Sequence, residues 1–249
     1  MKIKELVSAL ERFAPLPLQD GFDNAGLQIG LTEAEATGAL LCLDVTEAVL
    51  DEAIALGYNL VISHHPLIFK GYKSITGKDY VERCILKAIK NDIVIYSAHT
   101  NLDNAYGGVN YKIAEKIGLK NLQVLEPKEN SLQDDLTQAG AGIVGELDEP
   151  ETELEFLKRI KKTFEVGCVR HNRLTGREIQ KVALCGGAGA FLLPRAIRAG
   201  ADVFITGEIK YHDYFGHEGD ILMAEIGHYE SEQYTKEIFY SIIRDLFPN

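Results

Sequence analysis

Residues 38–98 constrain the fold more than any other part of the chain, because short apolar runs there alternate with helix-length amphipathic segments. GALLCLDV (38–45), YNLVIS (58–63) and DIVIYSA (92–98) are too short for helices and rich in strand-favouring residues, so they read as buried strands. Segments 46–57 and 80–91 carry helical spacing, and Gly57 supplies the stop signal of the first. Strand–helix–strand order of this kind gives βαβ units, a largely parallel sheet and an α/β fold.

The second half echoes the first. LLCLDVTEAVLDEAIALGYNLVISHH (40–65) lies over ALCGGAGAFLLPRAIRAGADVFITGE (183–208) at a constant offset of 143 residues without a gap. Leu41, Cys42, Leu50, Ala53, Ile54, Gly57 and Ile62 match Leu184, Cys185, Leu193, Ala196, Ile197, Gly200 and Ile205. DIVIYSAHTNLD (92–103) resembles DILMAEIGHYESE (220–232) after a shift in spacing. A polar cluster follows each strand in the same order, so duplication is preferred over chance. The polar, turn-rich run 126–138 is the best boundary. The expected division is 1–125 with 226–249 as one α/β domain carrying most of the site, and 126–225 as the second, related one.

Charge and composition exclude several classes. A formal net charge of −11 opposes broad nucleic-acid binding. Arg170, His171, Arg173 and Arg177 cluster locally, which reads as a solvated face. The opening MKIKELVSALERFAPLPL has helical spacing (Ile3, Leu6, Val7, Leu10, Phe13) and no signal-peptide pattern. No apolar run is long enough to span a membrane, so a soluble chain is expected. Cys42, Cys84, Cys168 and Cys185 form no C-x-x-C pair and read as thiols in a reducing cytoplasm.

Chemistry concentrates at strand ends, where parallel α/β sheets bind ligands. His64-His65 follows LVIS directly, with Pro66 stopping the strand. The next strand ends in SAHTNLD, offering His99 and Asp103. The third motif is GHYESE, where His228 and Glu232 are four apart and share one face of what reads as a single long helix through YESEQYTKEIFYSIIRDLF. Taken singly, each has an ordinary reading: surface histidines, a turn or helix cap, an acidic residue favoured by a helix N-terminus. Taken together, His64, His65, Asp103, His228 and Glu232 suit two divalent ions roughly 3.5–4 Å apart, with Glu232 as the bridge. Zn, Fe, Mn and Co all accept this mixed set.

The motifs SHHPLIF, SAHTNLD, GHYESE and DNAGLQIG resemble those of the NIF-three-like (NGG-one interacting factor) family of dinuclear metal-centre proteins, labelled GTP cyclohydrolase I type 2 homologues. They occur in family order across essentially the whole chain, and the family's metal-ligand positions match His64, His65, Asp103, His228 and Glu232 without substitution. One departure is Phe22, where the family commonly has Trp. The short 104–180 segment implies that the extra domain of some members is missing. The resemblance implies two interlinked α/β domains with the metal site in the cleft between them, assembled as a homohexameric ring. It also implies GTP as substrate, with opening at C8 and release of formate.

Other polar residues are less determined. Asp23 and Asn24 either shape the rim of the site or cap a turn. ITGEIKYHD (205–213) offers Glu208, Lys210 and His212. The proton-transfer residue is expected to be His99 or His212, with a structural histidine as the alternative for either. The CGGAGAF turn (185–191) serves either close strand–helix packing or an anion contact. The leading expectation is a metal-dependent hydrolase acting on a small molecule such as a nucleotide. The alternative is a non-catalytic metal-binding or metal-handling assembly factor; a nucleic-acid-threading ring is opposed by the acidity.

Overall fold

The computed structural model describes residues 1–128, 139–217, 219–244 and 246. In chain order its regular elements are α1 (Ile3–Phe13), β1 (Gly26–Ile29), β2 (Ala39–Cys42), α2 (Glu47–Leu56), β3 (Leu60–Ser63), α3 (Tyr80–Lys90), β4 (Val94–Ser97), α4 (Thr100–Asn104), α5 (Val109–Ile117), β5 (Lys120–Pro127), β6 (Gly140–Thr152), α6 (Glu153–Thr163), β7 (Arg170–His171), β8 (Glu178–Cys185), α7 (Leu193–Arg198), β9 (Val203–Thr206), β10 (Leu222–Glu225), α8 (His228–Glu232) and α9 (Thr235–Arg244). The chain divides into two compact units, Met1–Leu102 with Thr235–Asn249, and Asp103–Tyr234.

The first unit holds a four-stranded sheet in the order β1-β4-β3-β2. Strands β2, β3 and β4 run parallel, and β1 lies antiparallel to β4. The amphipathic α2 and α3 bury Leu50, Ala53, Cys84, Ile85 and Ala88 against Val61 and Ile95. Thr46 and Asp79 cap these helices by accepting the Val49 and Glu82 N–H groups, and Gly57 ends α2 in the left-handed region at φ 70. Helix α1 buries Ile3, Leu6, Val7 and Leu10, as its spacing requires, and packs on α9.

The second unit holds a six-stranded sheet in the order β5-β6-β8-β9-β10-β7. Here β8, β9 and β10 are parallel, while β5, β6 and β7 are antiparallel to their neighbours. Its core gathers Val144, Ala183, Leu192, Ala196, Phe204 and Met223. Both sheets are therefore mixed, each containing three adjacent parallel strands. The 143-residue offset carries β3 onto β9 residue for residue.

The structural division differs from the sequence boundaries of 125 and 226. Strand β5 pairs with β6 along its length, which draws 103–125 into the second unit, and α8 stays with it too. Of the expected boundary 126–138, Glu126 and Pro127 are the last residues of β5, and 129–138 lie outside the described residues. The long C-terminal helix is two helices, α8 and α9, interrupted at Gln233 and Tyr234. Both residues are held by tertiary bonds: Gln233 Nε2 donates to the Phe164 carbonyl and the Tyr234 hydroxyl to that of Thr163. Cys42, Cys84 and Cys185 are buried, whereas Cys168 is exposed. Among the described residues no helix is long and apolar enough to cross a membrane.

Candidate metal centre

In the first unit the ends of β2, β3 and β4 hold Asp44, the His64-His65 pair and His99. Strand β3 is buried at all four positions. Its ladder continues past the strand: the His64 and His65 N–H groups donate to the Cys42 and Leu43 carbonyls at 3.2 and 2.9 Å. The paired hydroxyls of Ser63 and Ser97, 2.7 Å apart, tie β3 to β4 just beneath the doublet. The histidines thus leave a rigid edge.

The rings of His64, His65 and His99 lie 4.9–5.4 Å apart by centroid. One ligand atom from each lies within 4.8 Å of the other two, so this trio can hold a metal ion. Each ring is also fixed from behind. His64 Nδ1 sits 2.8 Å from the Ala98 carbonyl, His65 Nδ1 2.9 Å from Asp44 Oδ1, and His99 Nδ1 2.8 Å from Asp23 Oδ1. An acceptor on Nδ1 selects the tautomer that presents the Nε2 lone pair, as in most metal-binding histidines.

Asp23 is itself held. Burial of its carboxyl pushes its pKa up, but hydrogen bonds from His99, Thr100 and Asn24 outweigh that and hold it at about 2. Asp23 accepts the Thr100 N–H at the start of α4 and holds the His99 ring.

The second unit repeats the pattern at the end of β10. His228 opens α8, with Nδ1 at 2.8 Å from Glu208 Oε1 and Nε2 at 3.1 Å from Glu232 Oε2. The four-residue spacing places imidazole and carboxylate on one helical face, as expected. Glu232 is buried, a position that a carboxylate tolerates only when paired or ligated. Asp103 in α4 brings a carboxylate oxygen within 4.8 Å of that of Glu232.

His212 lies in the one-turn helix Tyr211–Tyr214, with its ring against Tyr211 and Phe215 at 5.1 and 5.9 Å. The basic group 170–177 is exposed; Arg170 pairs with Glu225, and Arg177 donates to the Asp220 carbonyl. Asp44 escaped the sequence reading. Its one signal is its place two residues after β2, the strand that pairs with β3.

The fold and these side chains define an α/β protein with groups of histidine and carboxylate side chains that could hold a metal ion. The chain belongs to the Duf34/NIF3 (NGG1p interacting factor 3) family, whose model matches residues 1–249. It is 37% identical over 235 residues to the GTP cyclohydrolase 1 type 2 homolog of Clostridium perfringens, covering 93% of this chain and 87% of that protein. The Lactococcus lactis protein of the same name is 35% identical, covering 98% and 91%. A crystal structure of a Staphylococcus aureus hypothetical protein matches with a TM-score of 0.90 at 31% identity, covering 100% of this chain and 92% of that one.

Proposed function

We propose that the chain is a dinuclear divalent-metal protein acting as a metal-dependent hydrolase, with His64, His65, Asp103, His228 and Glu232 as ligands. The observation that carries this reading is the backing of the clustered imidazoles: His64, His65, His99 and His228 each have Nδ1 engaged by a carbonyl or carboxylate. Bound there, two divalent ions, drawn from Zn, Fe, Mn and Co, supply Lewis acidity and activate water. Glu232, buried and close to both His228 and Asp103, would supply a carboxylate to hold the ions. His99 serves either as an added ligand or as the proton-transfer group, with His212 the other candidate for proton transfer. The relatives' name makes GTP the first substrate to try, with formate as product.

The metal-handling alternative draws on the same observation, because oriented ligands favour binding and say little of turnover. A homohexamer in the reducing cytoplasm completes the reading; four free cysteines suit that setting.

The test is metal content per chain on gently purified protein, followed by formate release from GTP with metal removed and restored. Two metals with metal-dependent release support the hydrolase. Two metals without release favour handling or another substrate. Less than one metal per chain after reconstitution sinks the centre. His64→Ala and Glu232→Ala are expected to lower metal content while the chain stays folded.

A further inference from the structure

The Gly186–Gly187 turn after β8 offers two readings by sequence, packing or an anion cradle. An anion cradle requires outward-facing amides, and these are engaged inside the protein. Gly186 N–H donates to Asn110 Oδ1, Gly187 N–H to Ser231 Oγ and Gly189 N–H to Thr206 Oγ1, each at 3.0 Å.

Those bonds lead to the second unit's proposed ligands. Asn110 Nδ2 donates to the Asp103 carbonyl at 3.0 Å. The Ser231 hydroxyl donates to the His228 carbonyl at 2.8 Å. The Gly187 carbonyl accepts the Glu208 N–H at 3.0 Å, and the Glu208 carboxylate holds the His228 ring. Space makes the fourth link. A Cβ on Gly187 would stand 2.3 Å from Glu232 Oε1 and 3.4 Å from His228 Cε1. Glu232 is thus seated in the room that a side chain at 187 would occupy.

We propose that Gly187 and Ser231 are positioning residues that seat the Glu232 carboxylate and the His228 ring for metal. Gly187 acts by lacking a Cβ, and Ser231 by joining the turn to α8. This rests on the metal-centre reading above.

The experiment measures Zn²⁺ affinity of the full chain by competition with a chromophoric chelator, alongside the melting temperature of the metal-free protein. Gly200→Ala is the control: Gly200 also has positive φ, at +70 against +58 for Gly187, but a Cβ there meets nothing within 4 Å. Both alanines therefore meet similar backbone strain, and only the one at 187 reaches a ligand. Gly187→Ala is expected to weaken Zn²⁺ binding about 10- to 100-fold, and Ser231→Ala about tenfold, with Gly200→Ala at the wild-type value. Ser231→Ala adds no bulk and keeps the test decisive if Gly187→Ala does not fold. Affinities for both variants within twofold of wild type, with wild type binding metal, overturn the positioning role. A wild-type chain that takes up no Zn²⁺ overturns the metal centre itself, and this inference with it.

Discussion

Asp23 Oδ1 lies 2.8 Å from His99 Nδ1, while Asp23 Oδ2 accepts the Thr100 N–H at 3.0 Å. One carboxylate therefore fixes a ring and starts a helix. Asp23→Asn keeps an acceptor but loses the charge, and its amide can turn a donor toward His99. Metal affinity is expected to fall about tenfold, a usual cost of losing such a backing group. Asp23→Ala also strands the Thr100 N–H and costs roughly 1–3 kcal/mol of stability besides. Chelator competition and chemical denaturation separate the two effects. Unchanged affinity in both variants would show that His99 needs no orientation from Asp23.

His99 and His212 differ in surroundings, and the two variants should differ accordingly. His99→Ala removes one of three imidazoles with converging ligand atoms, so metal content per chain is expected to drop. His212→Ala disturbs only stacking with Tyr211 and Phe215, so metal content should hold. If His212→Ala loses metal as His99→Ala does, His212 belongs among the ligands.

A buried carboxylate elsewhere contributes to the pH response of the first unit. Glu82 Oε2 accepts the N–H groups of Thr76, Gly77 and Lys78 at 2.8, 2.8 and 3.1 Å, clamping the loop before α3. Glu153 does the same for Thr175 and Gly176 in the second unit. Backbone hydrogen bonds from Thr76, outweighing burial, lower the Glu82 pKa from 4.5 to about 2. A depressed folded-state pKa means that its stability contribution is full above pH 4.5 and is lost as pH falls toward 2. Glu82→Gln should therefore melt below wild type at pH 7, with the gap closing through that acidic window. A gap that stays constant down to pH 2 would show that the charge of Glu82 contributes nothing.

Much of this was legible because period and punctuation agree in the βαβ stretch. The run 58–63 became β3 and the histidine doublet stands directly at its end. What escaped depends on distant partners. Strand β6, GAGIVGELDEPET, has the glycine and acid content of a loop and is a strand because β5 and β8 pair on either side. The break between α8 and α9 has no proline or glycine to mark it. It is made by side chains of Gln233 and Tyr234 reaching carbonyls some seventy residues away. The five proposed ligands were named from their motifs, but Asp44, Ser231 and Gly187 act through contacts that spacing does not encode. Local pattern offers the candidate ligands and a few of their neighbours; the fold shows which side chains contact which.

Tyr96 stands in the middle of β4, fully buried, with a phenol oxygen that has no hydrogen-bond partner among the described residues. Burial, with a smaller push from the Glu11 charge, drives its pKa well above the ordinary phenol value, so the group stays neutral and its cost is that of an unpaired hydroxyl. Such a group costs roughly 1–3 kcal/mol when removed from water without a partner. Phenylalanine keeps the ring and its packing and deletes only the oxygen. Tyr96→Phe is therefore expected to stabilise the chain by about 1 kcal/mol, raising its melting temperature by roughly 2–4 °C for a protein of this size. A loss of stability instead would mean that the hydroxyl is hydrogen-bonded in solution.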